Sequence, residues 1–525
     1  MQQKKTIISA LTASLMLCSM LTCIPAGAEE LTQGDLTYEN RGVFIAITDC
    51  NEEAVTVDIP AEIDGLPVTW IDEEAFGFCR DLTAVTLPDT IEYIADEAFD
   101  FCQSLTQITI PASTVGMGQD VFNSCSRLET IIVAEGNPNF VSADGVLFSK
   151  NMEYLYCYPS GRKDTTYVIP AQTKETVDFE NEYLTSVTIP AGMDMLDGAV
   201  FSECSALTEI LLDSGSTMYK SVDGVLYSLD MRTLVAYPAG APAETYAVPE
   251  SVTEIGMYAF QNSKLKGVTL PDSVDTIGES AFHMCKSLEN IVLPESLTTI
   301  KECAFGFCNA LPAIDIPDSV TELEGWTFVY CKNLTEITIP DSITEVEAGM
   351  FQGCEKLAKV NLPKNATHIG MFTFCDCTAL QQISLPASMQ GISIASFKGC
   401  TALTDVYFAG SETAWNAVSV ESDQNETFIN AVKHFGEDVP APVPTTGDLN
   451  ADGSINASDA AVLLTAAAAA GTGADSGLST AQIAAADLNA DGAFDAKDAA
   501  LILQYAAYVG TGGTDSITDF IAKRS

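Results

Sequence analysis

Basic residues are scarce in this chain. Its 525 residues include 24 Lys and Arg against 72 Asp and Glu, a formal net charge of −48. A surface of that sign repels phosphate backbones, which excludes nucleic-acid binding. It also keeps a protein soluble and suits a chain that takes up a cation, although most of it reads as solvated surface. Histidine is scarcer still: His283, His368 and His434 are scattered without metal-ligand spacing. His283 and His368 fall inside repeated segments and read as surface or packing residues. There is no CxxC pair for redox or zinc chemistry and no GxSxG nucleophile elbow. A glycosidase needs two carboxylates facing each other across a cleft, and isolated Asp or Glu on a repeat surface do not supply them. The expectation is a chain that is not an enzyme.

Long apolar runs are also missing, except at the start. Lys4 and Lys5 precede a run from Ile7 to Cys23, followed by Ala26-Gly27-Ala28 just before Glu29. This predicts a secretory signal peptide over residues 1–28. Cys23 offers a lipid attachment point, but Thr22 is a poor residue before one. No later stretch is long and apolar enough for a bilayer, and none stands near the C-terminal end for wall sorting. The mature chain is expected to be secreted and soluble, or held at a surface by something else.

What the sequence has in abundance is self-similarity. An anchor Phe recurs at Phe76, Phe99 and Phe122, returns at Phe201 and Phe260, and continues through Phe282, Phe305, Phe328, Phe351, Phe374 and Phe397, mostly at a step of 23 residues. Three residues after it stands Cys, except where Ser263 replaces it, and Leu82, Leu105, Leu288 and Leu334 mark the next apolar position. A short alternating strand ending in Pro follows, such as Ile108-Thr109-Ile110-Pro111. Each unit is too small to bury its apolar side alone, so the units must stack into a solenoid with internal ladders. One parallel strand per turn is expected, with Val, Ile and Leu inward and Pro ending the strand. Neighbouring equivalent Cys would point the same way, which is poor disulfide geometry. Cys79, Cys102, Cys125, Cys204, Cys285, Cys308, Cys331, Cys354, Cys377 and Cys400 are therefore predicted to form a buried thiol ladder. The outward positions, Thr86, Thr109, Thr188, Thr269, Asp315, Thr338, Asn361 and Ser384, form a hydroxyl-rich ribbon: a solvated face or a broad ligand platform.

The array resembles the BspA-like (Treponema-type) leucine-rich repeats of bacterial surface proteins over most of residues 36–435. Val55 to Ile71 is similar to that family's opening cap, and the segment around Trp415 to its closing cap. Two segments depart from the repeat, DGVLFSKNMEYLYCYPSG from Asp144 and DGVLYSLDMRTLVAYPAG from Asp223, 79 residues apart. Each reads as a β-hairpin projecting from the solenoid. Their aromatics, Phe148, Tyr156, Tyr158, Tyr227 and Tyr237, either pack the hairpin down or anchor a sugar or protein partner.

From Gly436 the composition changes. Pro440, Pro442 and Pro444 mark a stiff linker over 436–446. Beyond it, DLNADGSINASD (Asp448 to Asp459) is repeated as DLNADGAFDAKD (Asp487 to Asp498). Oxygen side chains at positions one, three, five, nine and twelve, with Gly at six, give the spacing of an EF-hand calcium loop. The expected calcium ligands are Asp448, Asn450, Asp452, the Ser454 carbonyl, Asn456 and Asp459, then Asp487, Asn489, Asp491, the Ala493 carbonyl, Asp495 and Asp498. Gly453 and Gly492 permit the sharp turn, and Ile455 or Phe494 would pin each loop to a small core. Position twelve is Asp rather than Glu, and a helix follows each loop without one before the first. A duplicated loop–helix unit of this kind resembles a type I dockerin, over about Gly447 to Gly513. The resemblance implies an all-α module that folds on two calcium ions and docks onto a cohesin module of a scaffoldin. It also implies that loop positions ten and eleven, Ala457-Ser458 and Ala496-Lys497, take part in partner choice. Leu463, Leu464, Leu501 and Ile502 belong either to the partner interface or to the core, with core the favoured reading. Residues 514–525 have no assigned role.

The expected organisation is a signal peptide (1–28), a capped leucine-rich-repeat solenoid with two hairpin insertions (29–435), a linker (436–446), a dockerin (447–513) and a tail (514–525). The expected function is a non-catalytic binding or adhesion subunit of a cellulosome-like, polysaccharide-degrading complex. Its array would face a glycan or a cell-surface protein. The alternatives are a cellulosomal hydrolase or protease with an unrecognised site, and a passive spacer.

Overall fold

The computed structural model describes residues 31–436, 446–450, 455–471, 476–478, 480–489, 492–510 and 515–523. The expected signal peptide, most of the linker, and Asp452, Gly453, Ser454 and Asp491 lie outside the described residues. The chain divides between Gly436 and Glu437 into two compact units.

The first unit is a solenoid of parallel β-strands. Alternation sets the register: Val57 pairs with Val85 and Ile108 with Ile131, inward residue over inward residue. The structure adds a second parallel ladder, mostly of strands only two residues long, on another side of each turn. In it Ile71 lies beside Ile94, Ile277 beside Ile300 and Ile369 beside Ile392. Two residues are too few to show a period of two, so the repeat pattern announced one strand per turn and hid the other.

The anchor rings stack down the middle. Phe260, Phe282, Phe305, Phe328, Phe351, Phe374 and Phe397 follow one another with centroids 4.9 to 5.8 Å apart. The predicted thiol ladder lies beside them, buried and without disulfides. It does more than fill space. Each ladder Cys from Cys102 to Cys400 donates its S–H to the carbonyl of the preceding anchor in the stack, at 3.0–3.3 Å. The same carbonyl already accepts an N–H from its own repeat, as Phe305 O does from Cys308 N at 3.2 Å. The thiol thus takes the second lone pair of a buried acceptor.

Caps close both ends. At the start, Leu31–Gln33, Leu36–Asn40 and Ile45–Cys50 form an antiparallel meander ahead of Leu66–Ile71. At the other end are two short helices, α1 (Glu412–Trp415) and α2 (Glu426–Asn430). Phe428 of α2 stacks on Phe397 at 4.4 Å. Within the array most anchor N–H groups donate to the next turn, as Phe305 N does to Thr327 O at 2.9 Å. Phe397 lacks a next repeat, and its N–H is taken at 3.0 Å by Oδ1 of the fully buried Asn425.

The two insertions do not project. Each is a three-stranded meander: Phe140–Ala143, Val146–Ser149 and Tyr154–Cys157, then Tyr219–Val222, Val225–Ser228 and Thr233–Ala236. Asp144-Gly145 and Asp223-Gly224, all at positive φ, make the tight turn before the hairpin that the sequence marked. The last strand of each meander joins the second ladder in parallel, Leu155 beside Thr176 and Leu234 beside Ile255. Phe148, Tyr158, Tyr227 and Tyr237 are buried, and the half-buried Tyr156 packs edge-on against Phe140 at 5.2 Å. These aromatics hold the insertions in the wall. Tyr158 and Tyr237 also restart the ring ladder, on Phe179 at 5.1 Å and Phe260 at 5.2 Å. The core accordingly falls into three blocks that meet at the insertions.

Burial pushes the thiols of Cys204, Cys285, Cys331 and Cys400 up to about 12. The native protein is therefore expected to leave these four unmodified by a thiol reagent at pH 8 and to expose them on denaturation; rapid native labelling would contradict the ladder. Cys331→Ala removes the S–H donor and opens a small void, and should cost roughly 1–2 kcal/mol in denaturant titration.

Candidate docking site

The second unit is built twice on one plan, with an offset of 39 residues. Helices α3 (Ala457–Gly471) and α5 (Ala496–Gly510) pack together through Leu463, Ile502, Ala460 and Ala499. Both begin at loop position ten, three residues earlier than the sequence suggested. A short helix, α4 (Thr480–Ala486), takes up part of the Ala-rich link and is tied to the first loop by Gln482 Nε2 donating to Leu449 O at 3.0 Å.

The position-twelve aspartates organise both loops identically. Asp459 is fully buried. Its Oδ1 accepts from Leu449 N at 2.8 Å and Asn450 N at 3.2 Å, and its Oδ2 from Asn456 N at 2.9 Å. Asp498 is also fully buried. It takes Leu488 N at 2.9 Å, Asn489 N at 3.2 Å and Asp495 N at 2.9 Å. Each carboxylate thus ties the first turn of its helix back to loop positions two, three and nine. Position nine caps that helix, with Asn456 Oδ1 accepting from Ser458 N and Asp495 Oδ1 from Lys497 N, both at 2.7 Å. In the second loop Asp487 Oδ2 accepts from Gly492 N at 2.9 Å, where φ is +86°. Ile455 and Phe494 lean on the small core as expected.

This geometry suits a hard cation. Among the described residues, the hydrogen-bond partners of Asp459 and Asp498 are backbone N–H groups, with no Lys, Arg or His. Fully buried carboxylates lacking a positive partner cost several kcal/mol. In each, Oδ1 takes two N–H groups and Oδ2 one, which leaves a lone pair on Oδ2 for a metal, and in the first loop the buried Asp448 adds a second carboxylate.

The tail is part of this unit. Helix α6 (Ile517–Ala522) buries Ile517 and Phe520. Phe520 lies 5.4 Å from the Tyr505 ring and 5.1 Å from Tyr508. Tyr508 OH donates to Asp515 Oδ2 at 2.7 Å, and Lys523 pairs with the same oxygen at 2.7 Å. Ile517 fits over Gly447, where a Cβ would stand 2.5 Å from its Cδ1, so the two ends of the module meet. No loop motif marks residues 514–525; only the apolar spacing of Ile517, Phe520 and Ile521 hints at a docked helix.

Ala457, Ser458, Ala496 and Lys497 are all exposed at the helix starts. Leu463 and Ile502 are core and Leu501 is half-buried, but Leu464 is 44% exposed, against its reading as core. Its counterpart one copy on, Leu503, is 45% exposed and was missed by the sequence reading. At about 100° per residue each leucine, seven residues on, lies on the same side as position ten of its copy, Ala457 or Ala496.

On the array, the outward ribbon is less hydroxylic than it read. Ile132, Val168, Leu211 and Val292 stand on it at 38%, 63%, 38% and 66% exposure, in register with Thr109, Thr188 and Thr269. The histidines lie apart. His434 Nε2 meets Asp405 Oδ1 at 2.7 Å and stacks on Tyr407, His368 is exposed on a short strand paired on both sides, and His283 sits edge-on to Phe307, held below its usual pKa by burial.

Comparison with family models gives six copies of a BspA type leucine rich repeat region over residues 56–153, 172–225, 240–346 and 304–420. The chain belongs to the BspA-type leucine-rich repeat family. The gaps in the match, 154–171 and 226–239, fall on the returning halves of the two insertions. A type I dockerin model matches residues 446–505, so the C-terminal module is a type I dockerin. Dockerins bind calcium and attach to cohesins in cellulosome-type assemblies, and both families are non-catalytic and typical of extracellular or cell-surface proteins. A leucine-rich repeat protein from Eubacterium ventriosum is 19% identical, with 70% of this chain and 94% of that one covered at a TM-score of 0.46. A leucine rich cell surface protein from Faecalibacterium prausnitzii is 25% identical over 75% and 99% at 0.38. The pneumococcal vaccine antigen PcpA is 19% identical over 78% and 99% at 0.37. No curated protein matches the chain.

Truncating the chain after Gly513, or Phe520→Ala, should destabilise the dockerin, the latter by roughly 3–5 kcal/mol. Calcium-loaded melting of the full chain followed by far-ultraviolet circular dichroism checks this: an unchanged helical transition would mean that α6 is ornamental.

Proposed function

We propose that this is a secreted, non-catalytic binding subunit, plugged by its dockerin into a scaffoldin of a polysaccharide-degrading complex, with the repeat array facing a glycan or a surface protein. The observation that carries the reading is the paired, fully buried Asp459 and Asp498, each closing a loop onto the first turn of a helix. In the first loop Asp448, Asn450, Asp452, Asn456 and Asp459 hold one calcium ion with the Ser454 carbonyl. In the second, Asp487, Asn489, Asp491, Asp495 and Asp498 hold another with the Ala493 carbonyl. The bound cation supplies the positive charge that lets these carboxylates converge. Once each loop is closed, its helix starts at position ten and presents Ala457, Ser458 and Leu464, or Ala496, Lys497 and Leu503, to a cohesin. Ser458 and Lys497 differ in charge, so the two faces are not equivalent. On the array, the apolar rungs Ile132, Val168, Leu211 and Val292 among threonines make a mixed face suited to a broad ligand.

Asp448→Ala combined with Asp487→Ala is expected to abolish calcium-dependent cohesin binding in a pull-down while leaving the solenoid's melting transition in place. Cohesin binding that persists in chelator would sink this mechanism. Incubated with insoluble plant polysaccharides and with bacterial cells, the protein should bind one of them saturably and release no reducing sugar. Sugar release would make it an enzyme, and binding to none would make it a spacer.

A further inference from the structure

The anchor turns form one edge of the solenoid, between the short second ladder and the outward strands. In most of these turns the residues two before and two after the anchor Phe take the left-handed region. Glycine, Asn and Asp enter that region most readily, and the array uses them at Asn262, Gly349, Gly353, Asp376 and Gly399. Among the described residues, seven aromatics occupy it as well: Phe78, Phe101, Tyr258, Phe307, Trp326, Tyr330 and Phe372. A bulky side chain there is a backbone outlier, and such outliers gather where a surface has a task. The backbone does not ask for a ring at these positions, since the same array closes the same turn with glycine.

Four of the seven gather on the turns anchored by Phe305, Phe328, Phe351 and Phe374, three steps of about 4.8 Å along the edge. Phe307 stacks on Tyr330 at 4.9 Å, and Trp326 reaches past the intervening turn towards Phe372, at 6.5 Å. That intervening turn carries Gly349 and Gly353 where rings would stand. A side chain at 349 would collide with the Trp326 indole, and one at 353 with the Tyr330 ring. The two glycines thus leave room for both rings to lean along the edge. All four rings are half-buried, and Met371, beside Phe372, is 46% exposed. The glycine turn also brings polar groups: Gln352 Nε2 donates to Tyr330 OH at 3.3 Å, and Glu347 is exposed. A smaller pair lies near the start of the same edge, Phe78 on Phe101 at 4.9 Å.

We propose that this four-ring patch binds a neutral, β-linked glycan chain, with the C–H faces of its pyranose rings on Trp326 and Tyr330 and its hydroxyls on Gln352 and Glu347. This rests on reading the array as a ligand-binding unit, and it places the contact on the anchor turns rather than on the outward ribbon. Chemistry, size and charge select the occupant. Trp and Tyr offer an apolar body with a polar tip, which matches a sugar ring, apolar on its faces and hydroxylated at its rim. Four half-buried rings offer roughly 300 Å² at most, well short of the about 800 Å² that each side of a stable protein interface covers. The one basic residue between Phe307 and Gly353, Lys332, is already paired with Glu355 at 2.6 Å, and the net charge of −48 opposes an anionic polymer. A β-linked chain is extended and flat enough to lie along the edge.

The test is calorimetric titration of the full, calcium-loaded chain with cellohexaose and xylohexaose, and with maltohexaose as the coiled, α-linked control. Saturable binding of a β-linked chain is expected, the tighter of the two naming the backbone, with no binding of maltohexaose. Trp326→Gly and Tyr330→Gly should each weaken it about tenfold, the effect of losing one stacked ring. Glycine is the residue the array itself uses one turn on, so both variants should keep the native circular dichroism. Saturation should also shift the tryptophan fluorescence of the unaltered chain, and the shift should vanish in Trp326→Gly. Failure of both β-linked chains to bind would overturn the proposal and leave the patch to a protein partner. Equal binding of maltohexaose, or unchanged affinity in both glycine variants, would overturn it as well. Retention on insoluble polysaccharide or cells separates the two levels. If the unaltered chain and both variants are held equally, the patch fails and the array still stands as a binding unit; if the unaltered chain is held by neither material, the array reading itself fails.

Discussion

Everything in the first unit depends on one match of lengths. Parallel strands lie about 4.8 Å apart, and aromatic rings stack comfortably at nearly the same distance. A Phe in every turn therefore lies on the Phe below it without strain, as Phe260 lies on Phe282 at 4.9 Å. The backbone ladder and the ring ladder then share one pitch. Given that pitch, the S–H of each ladder Cys falls within reach of the preceding anchor's carbonyl, and a side chain the sequence offers as filler becomes a hydrogen-bond donor in a dry core. The cost appears in the turns. Residues two before and two after many of the anchors adopt positive φ, among them Glu74 and Phe78, and Cys303 and Phe307. Most of these positions are not glycine, so the backbone strain is carried by the stack.

A ladder of this kind is vulnerable wherever it stops. The chain stops it four times, twice at its ends and twice inside, and uses one device at each end and a shared one at the two insertions. The antiparallel meander covers the first turn, and Asn425 with Phe428 supplies the hydrogen bond and the ring that a next repeat would have given. At the insertions, tyrosine takes over from phenylalanine. Tyr158 and Tyr237 keep the ring spacing while their turns shrink to Pro and small residues, and parallel pairing resumes after each insertion, Leu155 beside Thr176 and Leu234 beside Ile255, although the core is cut into three blocks. The same shrinkage opens the junctions on the turn edge. One is closed by Glu180; in the other Glu203 accepts from Asn262 Nδ2 at 2.8 Å and Gln261 Nε2 at 3.4 Å.

What could be read from sequence follows the same physics. The stack, the thiols and the inward strands were legible because they recur, and recurrence exposes any position that must be the same in every turn. The second ladder was not, since strands such as Thr276–Ile277 and His368–Ile369 are too short to carry a pattern. The hairpins were legible from Asp144-Gly145 and Asp223-Gly224, but not their fate. Whether a hairpin projects or joins a wall is decided by whether rings such as Phe148 and Tyr227 find a core, and that core is made by turns distant in sequence. The outward ribbon was misjudged for a related reason: threonine repeats and so attracts the eye, whereas Ile132, Val168, Leu211 and Val292 occur once each. In the dockerin the loops were plain from spacing alone. The closing helix was not, because its partners Gly447 and Tyr505 become neighbours only after the two copies have packed.

The two units also place their burdens differently. The solenoid buries mostly neutral groups, with Asp100 the buried carboxylate among its described residues. Burial pushes the thiols of Cys204, Cys285, Cys331 and Cys400 up to about 12, so these rungs of the ladder keep their protons in an ordinary extracellular range. The dockerin buries charge: Asp459 and Asp498 are as inaccessible as any ring in the array, yet they remain acids. A carboxylate held only by backbone N–H groups is satisfied in hydrogen bonds and unsatisfied in charge, so the fold of that unit is open to control by a cation in a way the solenoid's is not. An attachment module needs that property and a ligand-facing array does not. Residue by residue, the division runs along the chain at the same place as the change in composition after Phe435.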